Sequence, residues 1–159
     1  MPATNQMPFK PIRVILYQPE IPQNTGNIAR TCAATQTPLH LIEPLGFRLK
    51  DKYLKRAGLD YWDYVELFVH RDFDEFLSKV SPKRCLILSK RGKFNYYEFM
   101  YEIGDCLIFG SETKGLPDSF FEEYQSIKIP MLSPNVRSLN LSTSVGIVLY
   151  HVLMSLKLV

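Results

Sequence analysis

The stretch Asn24-Thr-Gly-Asn-Ile-Ala-Arg30 decides the fold class of this chain, because it marks a passage from strand to helix. It follows an apolar run, Val14-Ile-Leu-Tyr17, and a corner with two prolines. This order predicts a strand, a loop and a helix that starts near Asn24 and carries Arg30 on an early turn. In α/β proteins, ligands bind where strands end and helices begin. An arginine placed there suits a phosphate or a developing oxyanion.

Two later stretches strengthen this interpretation. They are Gly110-Ser-Glu-Thr-Lys-Gly-Leu-Pro117 and Ser138-Leu-Asn-Leu-Ser142, and the second opens the last predicted helix. The first strand is not followed by G-x-G-x-x-G, and the order of residues after Gly110 does not match a Walker phosphate loop. A glycine loop this late in the chain indicates a topology other than the usual dinucleotide fold.

Short apolar runs alternate with helical patterns along the chain. Candidate strands cover Arg13–Tyr17, Leu39–Glu43, Tyr64–Val69, Cys85–Ser89, Cys106–Phe109 and Ser126–Ile129. Candidate helices cover Asn24–Thr35, Lys52–Ala57, Asp72–Val80, Ser119–Tyr124 and Asn140–Lys157. Near-continuous apolar strands that alternate with helices predict an α/β fold with a parallel sheet covered by helices on both faces.

Length and composition are those of one globular domain, with 159 residues, 46% hydrophobic and 22% charged. We expect a single domain over 12–159 and a loose polar tail over 1–11. Neither a signal peptide nor a membrane span is expected, since polar residues interrupt the apolar C-terminal stretch. These features favour a cytoplasmic protein.

The cysteines and histidines show no metal-ligand spacing. Cys32, Cys85 and Cys106 each lie in an apolar context, and the three histidines are scattered. We therefore expect buried reduced thiols, structural or surface histidines and no metal site.

The net charge of +3 does not by itself indicate a nucleic-acid partner. Local basic clusters are compatible either with an ordinary solvated surface or with a face that follows phosphates. They lie at Lys50–Arg56, Lys83–Arg84 and Lys90–Lys93.

The last predicted helix is apolar on more than one side. Leu141, Val145 and Val148 follow helical spacing, while Tyr150 and Met154 lie on other faces. Either the monomer buries both faces, or a second copy covers one of them; the pattern favours the dimer.

The motifs resemble those of the SPOUT superfamily of RNA methyltransferases, in its SpoU/TrmH branch. The resemblance runs from about Ile12 to the last helix, over Asn24–Arg30, Phe109–Pro117 and Ile129–Ser142. Tyr17-Gln-Pro-Glu-Ile-Pro-Gln-Asn and Lys55-Arg-Ala-Gly-Leu-Asp-Tyr61 are similar to segments of its small TrmL-type members.

The resemblance implies a parallel sheet whose C-terminal part forms a deep trefoil knot, a homodimer and S-adenosylmethionine as cofactor. It implies methylation of the ribose 2′-hydroxyl of the wobble cytidine or uridine in tRNA. The alternatives are another RNA site, such as one in ribosomal RNA, a non-catalytic RNA-binding protein and a small-molecule nucleotide-binding protein.

Six residues are expected at the cofactor site: Leu88, Gly110, Gly115, Ile129, Ser138 and Asn140. The glycines would let the backbone approach adenosine closely, although ordinary turn chemistry also explains them. Leu88, Ile129 and Ser138 are assigned by the resemblance, and core packing is the other explanation for Leu88 and Ile129. Asn140 could also cap the last helix.

Three residues are expected to serve catalysis: Arg30, Asn24 and Glu112. The resemblance places Arg30 beside the target ribose, where a permanently protonated guanidinium would stabilise the alkoxide rather than act as a base. Asn24 could simply cap its helix. Glu112 could orient Arg30 or loop amides, favour a sulfonium charge, or be an ordinary surface residue.

Tyr61, Trp62 and Tyr64 lie close to the basic run Lys50–Arg56 and could stack on unpaired bases. Core or interface packing is the commoner role of such aromatics.

Overall fold

The computed structural model describes residues 6–159, and the side chains of all of these except 55 and 58–60. The strands are β1 Ile12–Tyr17, β2 Leu39–Ile42, β3 Leu67–His70, β4 Arg84–Leu88, β5 Phe94–Asn95, β6 Asp105–Phe109 and β7 Gln125–Lys128. The helices are α1 Pro22–Thr35, α2 Lys52–Gly58, α3 Phe73–Val80, α4 Asp118–Glu123 and α5 Leu141–Ser155, with a 3₁₀ helix over Leu59–Tyr64.

The strands form one sheet in the order β3-β2-β1-β6-β4-β7-β5, and every pairing is parallel. All strands therefore end at the same edge. Early and late strands meet in the middle, where β1 pairs with β6, so the loops after both strands lie side by side. A reversal of strand order at such an edge is where open α/β sheets bind their ligands.

Successive residues of the central strands face opposite layers, as the predicted parallel sheet requires. Val14 and Leu16 contribute to a core with α1 and α5, whereas Ile15 packs with α3 and α4. Leu86 and Leu107 join the first core, and their neighbours Ile87 and Ile108 the second. The result is a parallel sheet flanked by helices on both faces, as the sequence predicts.

All six predicted strands and all five predicted helices are present, with boundary shifts of up to three residues. The predicted strand at Tyr64 begins only at Leu67, because Tyr64 ends the 3₁₀ helix. The edge strand β5 was not predicted, since two residues are too short for a periodic signal.

The segment 89–93, which joins β4 to β5, crosses over β7. Strand β7 lies between β4 and β5 in the sheet, so the connection must pass across it. The amide of Ser89 donates to the carbonyl of Ile127, and the amide of Lys93 donates to that of Ser126. A Cβ on Gly92 would lie 2.3 Å from the carbonyl group of Ile127, so only glycine fits this crossing.

Residues 6–11, which were predicted to be part of a loose tail, contact the rest of the domain. The amide of Met7 donates to the carbonyl of Lys79, and Lys10 pairs with Glu66 at 2.9 Å. Arg13 donates to the carbonyl of Pro8, which ties this segment to β1. The remainder of the predicted tail, 1–5, lies outside the described residues.

The expectations for the cysteines are met. Cys32, Cys85 and Cys106 are buried free thiols. In the part of the chain that the structure describes, there is no cluster of potential metal ligands and no helix long and apolar enough to cross a membrane.

A buried polar chain runs beneath the sheet from Arg13 through His40 to His70. A guanidinium nitrogen of Arg13 lies 2.8 Å from His40 Nε2, and His40 Nδ1 lies 2.8 Å from His70 Nε2. Because arginine only donates, His40 Nε2 must accept and its Nδ1 must carry the proton that bonds His70. Both rings are thus neutral. Burial, reinforced by the charge of Arg13, lowers the pKa of His40 to about 2, and burial also lowers the pKa of His70.

The buried hydrogen bonds from Arg13 through His40 to His70 predict that the protein loses stability in mild acid. The unfolded chain binds a proton at His40 below pH 6.5 whereas the folded protein does not, so stability is retained above that pH and falls below it. From pH 7 to 5 we expect His40 to remove about 2 kcal/mol of unfolding free energy, measured by urea denaturation. His40→Gln, whose amide oxygen can accept from Arg13, should flatten this dependence. An equally steep pH dependence in that variant would contradict the assignment.

Candidate functional site

A cleft of about 590 Å³ opens at the carboxyl edge of the sheet, where β1, β4, β6 and β7 end. Its walls come from the loops that follow these strands and from the start of α5. Eight of the nine residues that the sequence assigns to the site line it: Asn24, Leu88, Gly110, Glu112, Gly115, Ile129, Ser138 and Asn140. The ninth, Arg30, is not among the lining residues.

Glu112 fastens the loop after β6 to the loop after β1. Its two carboxylate oxygens accept from the backbone amides of Glu20, at 2.7 Å, and Ile21, at 3.1 Å. The side-chain amide of Asn24 donates to the same carboxylate at 3.3 Å. Of the roles considered for Glu112, the structure supports the orientation of loop amides, and Arg30 is not its partner.

Asn24 and Asn140 extend this connection to the last helix. The amide nitrogen of Asn140 donates to the side-chain oxygen of Asn24 at 2.9 Å. The oxygen of Asn140 accepts from the amides of Ser142 and Thr143, which caps α5 as expected. Together, Glu112, Asn24 and Asn140 form a hydrogen-bond chain that joins all three sequence motifs.

Asn24 does not cap its helix, which was the alternative explanation considered for this residue. Helix α1 begins at Pro22, with Ile21 at its N-cap, because proline fits the first turn without a backbone donor. Asn24 is therefore inside the first turn, 5% exposed, and its side chain is free to bond Glu112 and Asn140.

Glu20 is a site residue that the sequence reasoning missed. Its carboxylate accepts from the hydroxyl of Thr113 at 2.7 Å and from the Thr113 amide at 3.3 Å. These hydrogen bonds, chiefly that of the hydroxyl, lower the pKa of Glu20. Glu20, in the loop after β1, thus bonds the loop after β6, and Glu112, in the loop after β6, bonds the loop after β1. The sequence signals for Glu20 were its position between the two prolines of the first loop and its place in the family-like segment Tyr17-Gln-Pro-Glu-Ile-Pro-Gln-Asn.

The glycines of the second motif are required for the loop itself. A Cβ on Gly110 would lie 2.5 Å from the carbonyl carbon of Gly115, and Ser111 and Gly115 exchange two backbone hydrogen bonds. Gly115 has open space around it but a φ of +66°, which disfavours other residues. The turn explanation therefore accounts for both glycines without a ligand.

The remaining predicted lining residues are Leu88, Ile129 and Ser138. Leu88 ends β4 and Ile129 follows β7, and both are half-buried against the core that contains α5. Ser138 is exposed on the segment that leads into α5. The cleft thus combines apolar walls with peptide groups of a tight loop, the usual composition of a small-molecule site.

Arg30 lies outside the cleft, on the exposed side of α1. It follows Asn24 by six residues, which is about 9 Å along a helix. Its guanidinium carbon lies 4.9 Å from the ring centroid of Tyr61, in a cation–π contact. It forms no ion pair with any residue whose side chain the structure describes.

The three aromatic residues Tyr61, Trp62 and Tyr64 differ in their exposure to solvent. Tyr61 and Tyr64 are 42% and 76% exposed, whereas Trp62 packs against the core. Only the two tyrosines are therefore available for a partner.

A family model described as the SpoU rRNA Methylase family matches residues 11–150. This chain belongs to the SpoU methylase family. The tRNA (cytidine(34)-2'-O)-methyltransferase of Escherichia coli K12 is 46% identical over 143 residues, which cover 88% of this chain and 90% of that protein. The protein of the same name from Methylovorus glucosotrophus is 45% identical over 141 residues, or 87% and 91% of the two chains.

Solved structures agree with this membership. A structure solved to explain 2-OH methylation of C/U34 on tRNA has a TM-score of 0.88 at 48% identity, over 92% of this chain and 96% of its own. The SpoU methyltransferase AviRb from Streptomyces viridochromogenes, solved with AdoMet, has a TM-score of 0.85 at 17% identity, over 99% and 62% of the two chains. At that identity the likeness shows the fold alone.

The hydrogen-bond chain predicts that Glu112→Gln destabilises the protein. The substitution replaces one charged acceptor of a backbone amide by a donor, so the unfolding free energy should fall by about 1–3 kcal/mol. Glu122→Gln, an exposed change on α4, should stay within about 0.5 kcal/mol of the parent. Chemical denaturation of both variants at pH 7 measures the difference. Equal stabilities would show that the Glu112 contacts do not hold the loops together.

Proposed function

We propose that this protein is an S-adenosylmethionine-dependent methyltransferase of the ribose 2′-hydroxyl of cytidine or uridine at the wobble position, nucleotide 34, of tRNA. The observation that carries the proposal is the convergence of all six residues assigned to the cofactor on one cleft at the carboxyl edge of the sheet. Membership of the SpoU methylase family and the activity named for relatives at 45–46% identity support the reaction and the substrate.

The cleft fits the cofactor in size and chemistry. Its volume of about 590 Å³ lies within the range of sites for molecules of this size. Leu88 and Ile129 provide apolar walls, and the loop from Gly110 to Gly115 presents peptide groups for hydrogen bonds. When bound, S-adenosylmethionine supplies an electrophilic methyl group. Leu88, Ile129 and the loop from Gly110 to Gly115 would hold that cofactor, and Glu112 and Asn140 fix the loops around it.

In the proposed reaction the ribose oxygen would gain the methyl group, the bond from that carbon to sulfur would break, and the hydroxyl proton would leave to water or phosphate. Arg30 cannot take the proton because a guanidinium stays protonated. We propose that Arg30 stabilises the developing negative charge on the oxygen and binds the adjacent phosphate. Its exposure, and the absence of an ion pair with the described side chains, leave its charge available to RNA.

We also propose the deep trefoil knot for the C-terminal part of the chain. Two observations support it. The segment 89–93 crosses over β7, so a later strand passes beneath an earlier connection. The chain then returns from β7 to α5, which packs with α1 in the core on one face of the sheet.

A homodimer built on α5 is the proposed assembly. Tyr150 and Met154 are 42% and 60% exposed on this helix, and Leu158 and Val159 beyond it are 43% and 68% exposed. A second copy would cover this apolar face. The proposed unit is a single catalytic domain over 12–159, and tRNA as its substrate places it in the cytoplasm.

The reaction is tested by incubating the protein with tritiated-methyl S-adenosylmethionine and, in parallel, tRNA or ribosomal RNA that lacks its native modifications, followed by nucleoside mapping. Label on the 2′-oxygen of nucleotide 34 is the expected result. Label on ribosomal RNA alone would keep the chemistry and change the substrate. No label on either RNA, with the cofactor still bound, would favour the non-catalytic RNA-binding alternative.

Arg30→Ala should lower the methylation rate by about 10²–10³-fold, because it removes the charge that stabilises the oxyanion. Affinity for S-adenosylmethionine, measured by calorimetry, should not change since Arg30 lies outside the cleft. Arg71→Ala, at another exposed arginine, is the matched control and should keep the parent rate. A retained rate in Arg30→Ala would remove this residue from the mechanism.

Met154→Asp should convert the dimer into a monomer, because a charge would be buried in the apolar contact on α5. Light scattering coupled to size exclusion should give twice the chain mass for the parent and the single mass for the variant. Met100→Asp changes an even more exposed methionine, at 85%, and should leave the dimer intact. A parent protein that is monomeric and active would refute the assembly.

A further inference from the structure

A second depression of about 470 Å³ adjoins the cleft at its mouth. Lys90, Arg91, Ile129 and Met131 line both, whereas Lys128 and Arg137 line only the second. Half of its lining residues are cationic, and no carboxylate among the described residues lines it. This concentration of charge is local, since the chain as a whole carries only +3.

The backbone that carries the cations of this depression is fixed. Lys90 and Arg91 lie in a tight turn, where the amide of Gly92 donates to the carbonyl of Ser89 at 2.9 Å. That turn is fixed on β7 by the crossing described above, and Lys128 is the last residue of β7. The backbone positions of Lys90 and Lys128 relative to each other are therefore set before any ligand binds, and only their side chains remain to be ordered.

Three of the four cations are available to a ligand. Arg91 pairs with Asp118 at 3.0 Å and lies 4.3 Å from the ring centroid of Phe121, so it is already engaged. Lys90, Lys128 and Arg137 form no ion pair with a side chain in the described part of the protein.

The other half of the lining is apolar, and we call it the floor of the depression: Ile129, Pro130, Met131 and Val136. A small free anion would gain nothing from such a floor. A nucleic-acid strand, in contrast, presents phosphates at intervals with sugar and base surfaces between them. Cations around an apolar floor fit that alternation.

We propose that Lys128 and Arg137, together with Lys90, bind phosphate groups of the RNA strand next to the target ribose. This inference rests on the proposed function, which places the reacting nucleotide at the mouth of the cleft. The site would hold the strand in register so that the 2′-hydroxyl faces the methyl group. Among the basic clusters predicted from the sequence, this proposal assigns phosphate binding to Lys90–Lys93. The fold brings Lys128 and Arg137 next to that cluster.

The test measures binding of a fluorescein-labelled anticodon stem-loop RNA by anisotropy between 50 and 200 mM KCl, a range over which phosphate contacts weaken measurably. Lys128→Ala and Arg137→Ala are compared with the parent and with Lys83→Ala, an exposed lysine just before β4 at the opposite edge of the sheet. Each site variant should reduce the slope of log affinity against log salt by about 0.7, the value for one single-strand phosphate contact. Lys83→Ala should keep the parent slope, and Arg137→Lys should restore it.

Calorimetry with S-adenosylmethionine separates this site from the cofactor cleft. Lys128 and Arg137 do not line that cleft, so both variants should bind the cofactor as the parent does. Unchanged salt slopes, or a loss of cofactor affinity that accounts for weaker RNA binding, would overturn the phosphate site alone. If the parent binds no RNA at low salt, the proposed function fails and this inference fails with it.

Discussion

The hydrogen-bond chain from Glu112 through Asn24 to Asn140 is the interaction on which the site depends. Each residue belongs to a different part of the chain, and the three meet only because β1 and β6 are neighbours in the sheet. The carboxylate of Glu112 satisfies two backbone amides at the start of α1 that have no partner within the helix or loop. Asn140 in turn caps α5, so one network fixes two helix starts and the cleft between them.

This network occupies the two carboxylates beside the cleft. Glu112 and Glu20 both lie at the gap between the loops, and their carboxylates are used to bridge it. The lining of the cleft combines Leu88 and Ile129 with backbone and with polar side chains such as Lys90 and Ser138. Because the loops are already bridged, we expect little reorganisation of the site on binding.

The motifs were the predictable part of this protein because each combines a strand end with a helix start. Parallel strands bring such ends to one edge, so the loop with Gly110 and Gly115 could be expected beside the start of the last helix without coordinates. Leu88 and Ile129 were assigned to the site by the family resemblance alone. Long-range partners were not predictable. Nothing in the sequence pairs Glu20 with Thr113, or shows that Gly110 packs on Gly115 and Gly92 on Ile127, since these depend on how separate loops meet.

The exact ends of helices and strands, and the shortest elements, could not be predicted from the sequence either, for local reasons. Pro22 starts α1 two residues before the expected position, and a polar residue in a first turn looks the same in sequence whether it caps or not. The 3₁₀ helix before β3 carries aromatic residues that imitate a strand. The segment 6–11 has the polar, proline-containing composition of a tail, and only its contacts with Lys79 and Glu66 reveal that it is held.

The crossing of segment 89–93 over β7 has a consequence for synthesis of the protein on the ribosome. Strand β7 leaves the ribosome after segment 89–93, yet it must come to lie beneath that earlier connection. The cleft draws lining residues from both sides of that crossing, from Leu88 to Ser144. A nascent chain can therefore complete strands β1 to β3 early, but it possesses no complete ligand site until the chain has been translated beyond Ser144.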